Sequence, residues 1–156
     1  MVKVIQGDLL DAAEDYICHQ VNTMGVIGEG IAKDISDKWP IVKEKYITSC
    51  HLAQLRNASL LGTIYVIRVT ENQRVVNIFG QTTYRRDPNY RIVYTDYDTM
   101  EQAFRTIREN LSGSSLAFPY GFGCEVAQGD WSTVLALIEL YFGDMDVTIY
   151  QKATER

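Results

Sequence analysis

The stretch 17-ICHQVNTMGVIGEGIAKDI-35 limits what this chain can become more than any other. Tyr16–Val21 has the apolar, β-rich character of a buried strand, and it carries His19 and Asn22 toward its end. The chain then breaks into a loop with glycines at 25, 28 and 30. It restarts with Ile31, Ile35 and Trp39 spaced four apart, while Lys33, Asp34, Asp37 and Lys38 can face water. Strand hands over to helix through bare glycine backbone. The succession returns later, where the short strand Leu116–Phe118 runs into 119-PYGFGCEVAQGDW-131 and then a helix marked by Val134, Leu137, Ile138 and Tyr141.

The remaining segments extend this alternation. Lys3–Gln6 reads as a first strand ahead of Gly7-Asp8, and Val147–Tyr150 as a last one. Pro40 ends the first helix or starts another, with Val42–Ala53 continuing helically. Thr63–Thr70 and Arg74–Phe79 are β-branched runs separated by Glu71-Asn72-Gln73, a hairpin signal that makes one strand pair antiparallel. Gly80–Tyr94 is the longest candidate loop. Thr95-Asp96-Tyr97-Asp98 matches a capping box, and behind it Tyr97, Met100, Phe104, Ile107 and Leu111 form an apolar helical stripe. The expectation is one α/β domain over residues 1–156, a three-layer α/β/α sandwich around a mixed sheet.

Composition excludes several classes. With 46% apolar residues the chain can build a core without metal or disulfide staples. Cys18, Cys50 and Cys124 are odd in number and widely spaced, and Cys18-His19 and Cys50-His51 are adjacent pairs rather than zinc spacings. No metal or cofactor is expected. A net charge of −5 argues against a nucleic-acid surface, and Arg85, Arg86 and Arg91 enclose Asp87 in what reads as a solvated loop. MVKVIQGD lacks the regions of a signal peptide, and no apolar run approaches the ~20 residues that span a bilayer. A cytoplasmic protein without membrane contact is the expectation.

Glycine lets a ligand approach the main chain, and free N–H groups at a helix start attract anions. Two such loops at the carboxyl ends of neighbouring strands would clamp a diphosphate. Either loop alone is as well explained by tight turns; their pairing favours a site. There is no G-x-x-x-x-G-K-[ST], and Gly28-Glu29-Gly30-Ile31-Ala32-Lys33 places lysine where a dinucleotide fingerprint needs glycine.

Taken in order, Gly7-Asp8, HQVNTMGVIGEGIA, Phe79-Gly80-Gln81 and PYGFGCEVAQGDW resemble a macrodomain, the ADP-ribose-binding module, over nearly the whole chain. The similarity is to the branch with ADP-ribose-1″-phosphate phosphatases and TARG-type hydrolases. It implies binding of ADP-ribose, ADP-ribose-1″-phosphate or an ADP-ribosylated macromolecule. Asp8 would accept from the adenine amino group, with the Leu9 backbone assisting. Asn22 would hold the distal ribose, while Gly28, Gly30 and Ile31 wrap that ribose and its phosphate. Pro119, Tyr120, Gly121, Phe122, Gly123 and Cys124 would supply the second diphosphate loop, and Tyr150 would flank the adenine. Each has a plainer rival: a turn cap for Asp8, its own loop for Asn22, packing for Tyr150 and Tyr120.

His19, Glu125 and Asp130 are the ionisable residues able to orient or deprotonate water. His19 reads rather more readily as a neutral core histidine bonded to a backbone carbonyl, and Asp130 stands where a helix N-cap belongs. Glu125 occupies a position where the family often has glycine. TARG-type hydrolases use a lysine nucleophile and an aspartate; here Gln81 or Thr82 and Ala127 stand at those places, so the covalent lysine route is not supported. The resemblance therefore implies a phosphatase or ADP-ribosyl hydrolase working through oriented water, or a reader without turnover. A general Rossmann-like nucleotide enzyme is the third reading.

Overall fold

The β-branched and aromatic runs pair into one six-stranded sheet in the computed structural model, which describes residues 1–28, 30–81, 96–124 and 130–153. The strands are β1 (Val2–Gln6), β2 (Tyr16–Asn22), β3 (Ile64–Arg68), β4 (Arg74–Gln81), β5 (Ser115–Pro119) and β6 (Asp146–Gln151), in the order β1-β6-β5-β2-β4-β3. Every pairing is parallel except β3 with β4, the expected hairpin. Four helices connect them: α1 (Ile31–Lys38), α2 (Pro40–Leu55), α3 (Tyr97–Leu111) and α4 (Trp131–Phe142).

Helices cover both faces, so central strands are buried on both sides and edge strands are not. In β2, Ile17, Cys18 and His19 are all buried, whereas β1 leaves Val4 and Ile5 exposed. One layer holds α3 and α4. Met100, Phe104 and Ile107 of α3 and Val134, Ile138 and Phe142 of α4 meet Cys18, Val76, Ile78, Leu116, Phe118 and Ile149 of the sheet. Phe104 sits among Phe118, Phe122, Tyr141 and Phe142 at ring-centroid distances of 5.0–6.2 Å. The opposite layer is α1 and α2, with Ile35 and Val42 against Ile17, Ile67 and Val75, and Tyr46 and Cys50 against Val21 and Phe79.

Most element boundaries fall where the residue pattern puts them. Pro40 starts a helix rather than ending one, since its missing N–H costs nothing in the first turn. The capping box is displaced by one residue: Asp96 caps α3, its side chain accepting from Asp98 and Thr99 N–H. A single 3-10 turn at Leu9–Asp11, capped by Asp8, was not legible in the pattern. Gly80 and Gln81, expected to open a long loop, instead extend β4, which pairs through Gln81 with Asn22; the rest of that segment, including Arg85, Arg86 and Arg91, lies outside the described residues.

Candidate functional site

The two glycine loops leave the sheet side by side. β2 and β5 pair in parallel through Tyr16–Leu116 and Ile17–Ala117, so Asn22 and Pro119 end strands that point the same way. After β2 the chain crosses through α1 and α2 toward β3 and β4; after β5 it crosses through α4 to β6 on the other side. The crevice between β2 and β5 is thus the point where strand order reverses, the place where open α/β sheets bind ligands.

The first loop is held from within. Asn22 is 5% exposed, and its side chain bridges the loop: Oδ1 accepts from Met24 N–H at 2.9 Å, and Nδ2 donates to the Val26 carbonyl at 2.8 Å. The Asn22 side chain thus satisfies its own loop. Gly30, the N-cap of α1, has φ 85° and ψ −149°, a backbone state restricted to glycine, and no side chain caps the helix behind it. Among the described residues the first-turn N–H groups of α1 therefore have no side-chain acceptor. Gly28 meets no described atom within 4 Å of an added Cβ, so packing does not demand glycine there. Glu29 lies outside the described residues.

The second loop is two tight turns in succession. Phe122 N–H donates to Pro119 at 3.1 Å and Cys124 N–H to Gly121 at 2.8 Å, with Gly121 at φ 77° and Gly123 at φ 73° in the third position of each turn. A positive angle in that place asks for glycine. Phe122 is 2% exposed and packs on Phe104 and Phe118, which anchors the loop in the α3–α4 core. Any ligand contact at 122 is therefore through backbone. Tyr120 is 40% exposed, its ring 4.8 Å from that of Trp131. Its N–H donates to Tyr150 O at 2.9 Å, joining the loop to β6.

Asp8 sits one strand further along. Its Oδ1 accepts from Leu10 N–H at 2.9 Å, and Oδ2 lies 3.7 Å from Lys152 Nζ. Leu9 is buried in the core. Tyr150 closes over Gly7 and donates its hydroxyl to Glu14 Oε1; burial first, then that carboxylate, pushes the phenol up to about 12. Packing accounts for its ring, and it also borders the Asp8 end of the crevice.

The acid/base candidates fare less well. His19 is 2% exposed, and its Nε2 lies 2.5 Å from Asn77 Oδ1 on β4. Burial pulls the imidazole down to about 4, against the opposing hydrogen bond, so it is neutral near pH 7. His19 is a core histidine, bonded to a side-chain amide rather than a backbone carbonyl. Asp130 is the N-cap of α4: Oδ2 accepts from Ser132 Oγ at 2.7 Å, Thr133 Oγ1 at 2.8 Å and Thr133 N–H at 3.3 Å. Those bonds, led by Ser132, hold its carboxyl below the usual range, which suits a cap and disfavours a proton donor. Glu125 lies outside the described residues.

Residue pattern alone missed Tyr46 and Asn77. Tyr46 donates to Asn22 Oδ1 at 2.6 Å from the buried face of α2, a face marked by Val42, Tyr46 and Cys50 at four-residue spacing. A buried tyrosine hydroxyl requires a partner, and that was the available signal. Among the described residues no group of three or more His, Cys, Asp or Glu is placed to hold a metal ion. A polar cleft of about 480 Å³ opens at the opposite end of the strands, where β2, β5 and β6 begin, but its Arg108 is paired with Asp144 and its Asp15 with the Ser115 N–H.

No protein-family model matches the chain. It is 28% identical over 96% of its length to a DNA ADP-ribosyl glycohydrolase of Mycobacterium tuberculosis, and spans 42% of that protein. It is 27% identical over 65% of its length to an ADP-ribose 1″-phosphate phosphatase of Lodderomyces elongisporus, spanning 66% of it. Among solved structures, a macrodomain protein from Streptomyces coelicolor superposes with a TM-score of 0.79 at 22% identity, covering 96% of this chain and 98% of that one. Thermosipho africanus DarTG in complex with ADP-ribose matches 99% of this chain and 42% of its own at 0.78 and 21% identity. With the two glycine loops at adjoining strand ends, these likenesses identify the architecture: the chain has the macrodomain fold.

Proposed function

We propose that residues 1–156 form a single ADP-ribose-binding domain that hydrolyses ADP-ribose-1″-phosphate or an ADP-ribosyl ester. The observation that carries this reading is the position of the two glycine loops at the ends of hydrogen-bonded β2 and β5, where the strand order reverses. The named activities of the phosphatase and glycohydrolase relatives point to the same ligand. The diphosphate lies between the Gly28–Ile31 and Pro119–Cys124 backbones, the adenine beside Asp8 and Tyr150, and the distal ribose beside Asn22. With the phosphate as substrate, water adds to phosphorus, the bond from phosphorus to the C1″ oxygen breaks, the proton that water gives up passes to that departing oxygen, and backbone N–H groups take up the charge that develops. With His19 neutral in the core and Asp130 capping α4, Glu125 is the remaining candidate to orient that water. The unpaired thiols Cys18 and Cys50 suit a reducing cytoplasm.

The same two findings favour a second reading, a module that recognises ADP-ribosylated macromolecules without turnover. Parallel calorimetric titration with ADP-ribose, NAD and ATP, together with phosphate release from ADP-ribose-1″-phosphate, tests both. ADP-ribose preference with phosphate release supports the hydrolase, and preference without release leaves the reader. Equal affinity for the three nucleotides, or preference for NAD, removes both.

A further inference from the structure

We infer that Tyr46 is a positioning residue for the distal end of this site, acting through Asn22. The inference rests on the ADP-ribose reading above. Tyr46 is 1% exposed, its ring stacked on Phe79 at 6.1 Å, and it reaches the first glycine loop from behind. Its hydroxyl faces the Asn22 carbonyl at 2.9 Å, Asn22 Oδ1 at 2.6 Å and the Val26 carbonyl at 3.4 Å. All three are acceptors, so the tyrosine is the donor, and its single hydrogen goes to the nearest of them, Asn22 Oδ1. Burial raises its phenol pKa, which keeps the proton in place.

The orientation of the Asn22 amide follows from groups whose roles are fixed. Met24 N–H can only donate, so the atom it meets is the oxygen; the Val26 carbonyl can only accept, so the atom it meets is the nitrogen. Tyr46 makes the second bond to that oxygen. An amide nitrogen carries two hydrogens, and Val26 takes one. With the oxygen held by Met24 and Tyr46, what Asn22 has left to offer is one N–H. The group it can recognise is an acceptor: a ribose hydroxyl oxygen or a phosphate oxygen. Without the Tyr46 hydroxyl, the oxygen loses one of its two ties and the loop loses its only described link to α2 through a side-chain hydroxyl.

A general loss of folding would weaken every nucleotide ligand alike, whereas loss of Asn22 alignment affects only ligands that reach it. Titration of Tyr46→Phe with ADP-ribose and with ADP, which lacks the distal ribose, separates the two. The expected result is roughly tenfold weaker ADP-ribose binding with ADP affinity unchanged, the scale of one lost hydrogen bond. In an Asn22→Ala background the same substitution should have no further effect on ADP-ribose. Equal losses for both ligands, or an undiminished effect in the Asn22→Ala background, overturn the inference. Should Tyr46→Phe fail to fold, Asn22→Ala alone must lose ADP-ribose and keep ADP, and loss of neither or both overturns it as well. A wild-type chain that binds neither nucleotide defeats the underlying ligand reading instead.

Discussion

His19 Nε2 and Asn77 Oδ1 face each other at 2.5 Å across the β2–β4 pairing, both side chains buried beneath the α1–α2 layer. Because the amide oxygen accepts, the proton sits on Nε2, and Nδ1 is left bare with no partner among the described residues. Burial holds the folded imidazole down to about 4, below the ordinary histidine value of 6.5. The unfolded chain therefore binds more protons between those values, so stability is intact above pH 6.5 and falls as pH drops toward 4. The loss is on the order of 3 kcal/mol across that window. Urea unfolding from pH 4 to 7 should show it, and His19→Gln should remove that part of the slope. A native and a substituted curve of equal slope would refute the assignment.

Gly28 and Gly30 offer a second test, because only one of them is required by the backbone. Alanine at Gly30 must adopt φ near 85° and ψ near −149°, and the expected cost is about 1–3 kcal/mol of stability along with ligand affinity. Alanine at Gly28 meets nothing described within 4 Å, so stability should stay within about 0.5 kcal/mol. If main chain there approaches a phosphate, Gly28→Ala should still weaken ADP-ribose binding tenfold or more. Thermal unfolding and calorimetry on the same samples read both quantities, and unchanged affinity in Gly28→Ala would place the ligand elsewhere.

Most of this fold was legible because its strands and helices obey their own periods. The Ile31–Ile35–Trp39 spacing and the Met100–Phe104–Ile107 stripe both settle against the sheet as expected. The side-chain partners were harder, because they depend on strand order. Nothing local to His19 says that Asn77 will lie opposite it; that follows from β2 pairing with β4. Asn22 was legible as a site residue, yet its bonds to Met24, Val26 and Tyr46 come from loop shape and from a helix two elements away. Phe122 read as part of a ligand loop, but its side chain goes to the core because an apolar ring in a two-turn loop gains more there than in water.

Phe122 ties the second loop to the interior. Its ring lies 5.4 Å from Phe118 and 6.2 Å from Phe104. Phe122→Ala should cost about 3–5 kcal/mol, in line with emptying a packed aromatic site. Phe122→Leu keeps most of the volume and should recover the greater part of stability and of ADP-ribose affinity together. Full affinity in Phe122→Ala at temperatures where it remains folded would show that the loop does not need this anchor.

At Asp130 the cap and the catalyst can be separated by serine. Serine retains an oxygen for the Thr133 N–H and so preserves the α4 cap, but it has no carboxylate. The expected outcome is a lowered melting temperature for Asp130→Ala, near-native melting for Asp130→Ser, and native phosphate release per folded molecule in both. A ~100-fold slower Asp130→Ser with unchanged melting would instead identify Asp130 as the catalytic acid/base.

On the proposed ADP-ribose reading Asp8 selects the nucleobase, and its two oxygens divide the work. Oδ1 is committed to the Leu10 N–H, while Oδ2 has only the distant Lys152 ammonium at 3.7 Å and can accept from an adenine amino group. Hypoxanthine presents a carbonyl oxygen in that place, which would face the carboxylate with no proton between them. The native chain should therefore bind ADP-ribose at least tenfold more tightly than its inosine analogue. Asp8→Asn keeps an oxygen for Leu10 and presents an NH2 group in place of Oδ2, so the preference should shrink or reverse without loss of folding. Competition binding with the two dinucleotide-like ligands measures the ratio directly. An identical ratio in the native and Asp8→Asn chains would mean that the base does not lie against Asp8.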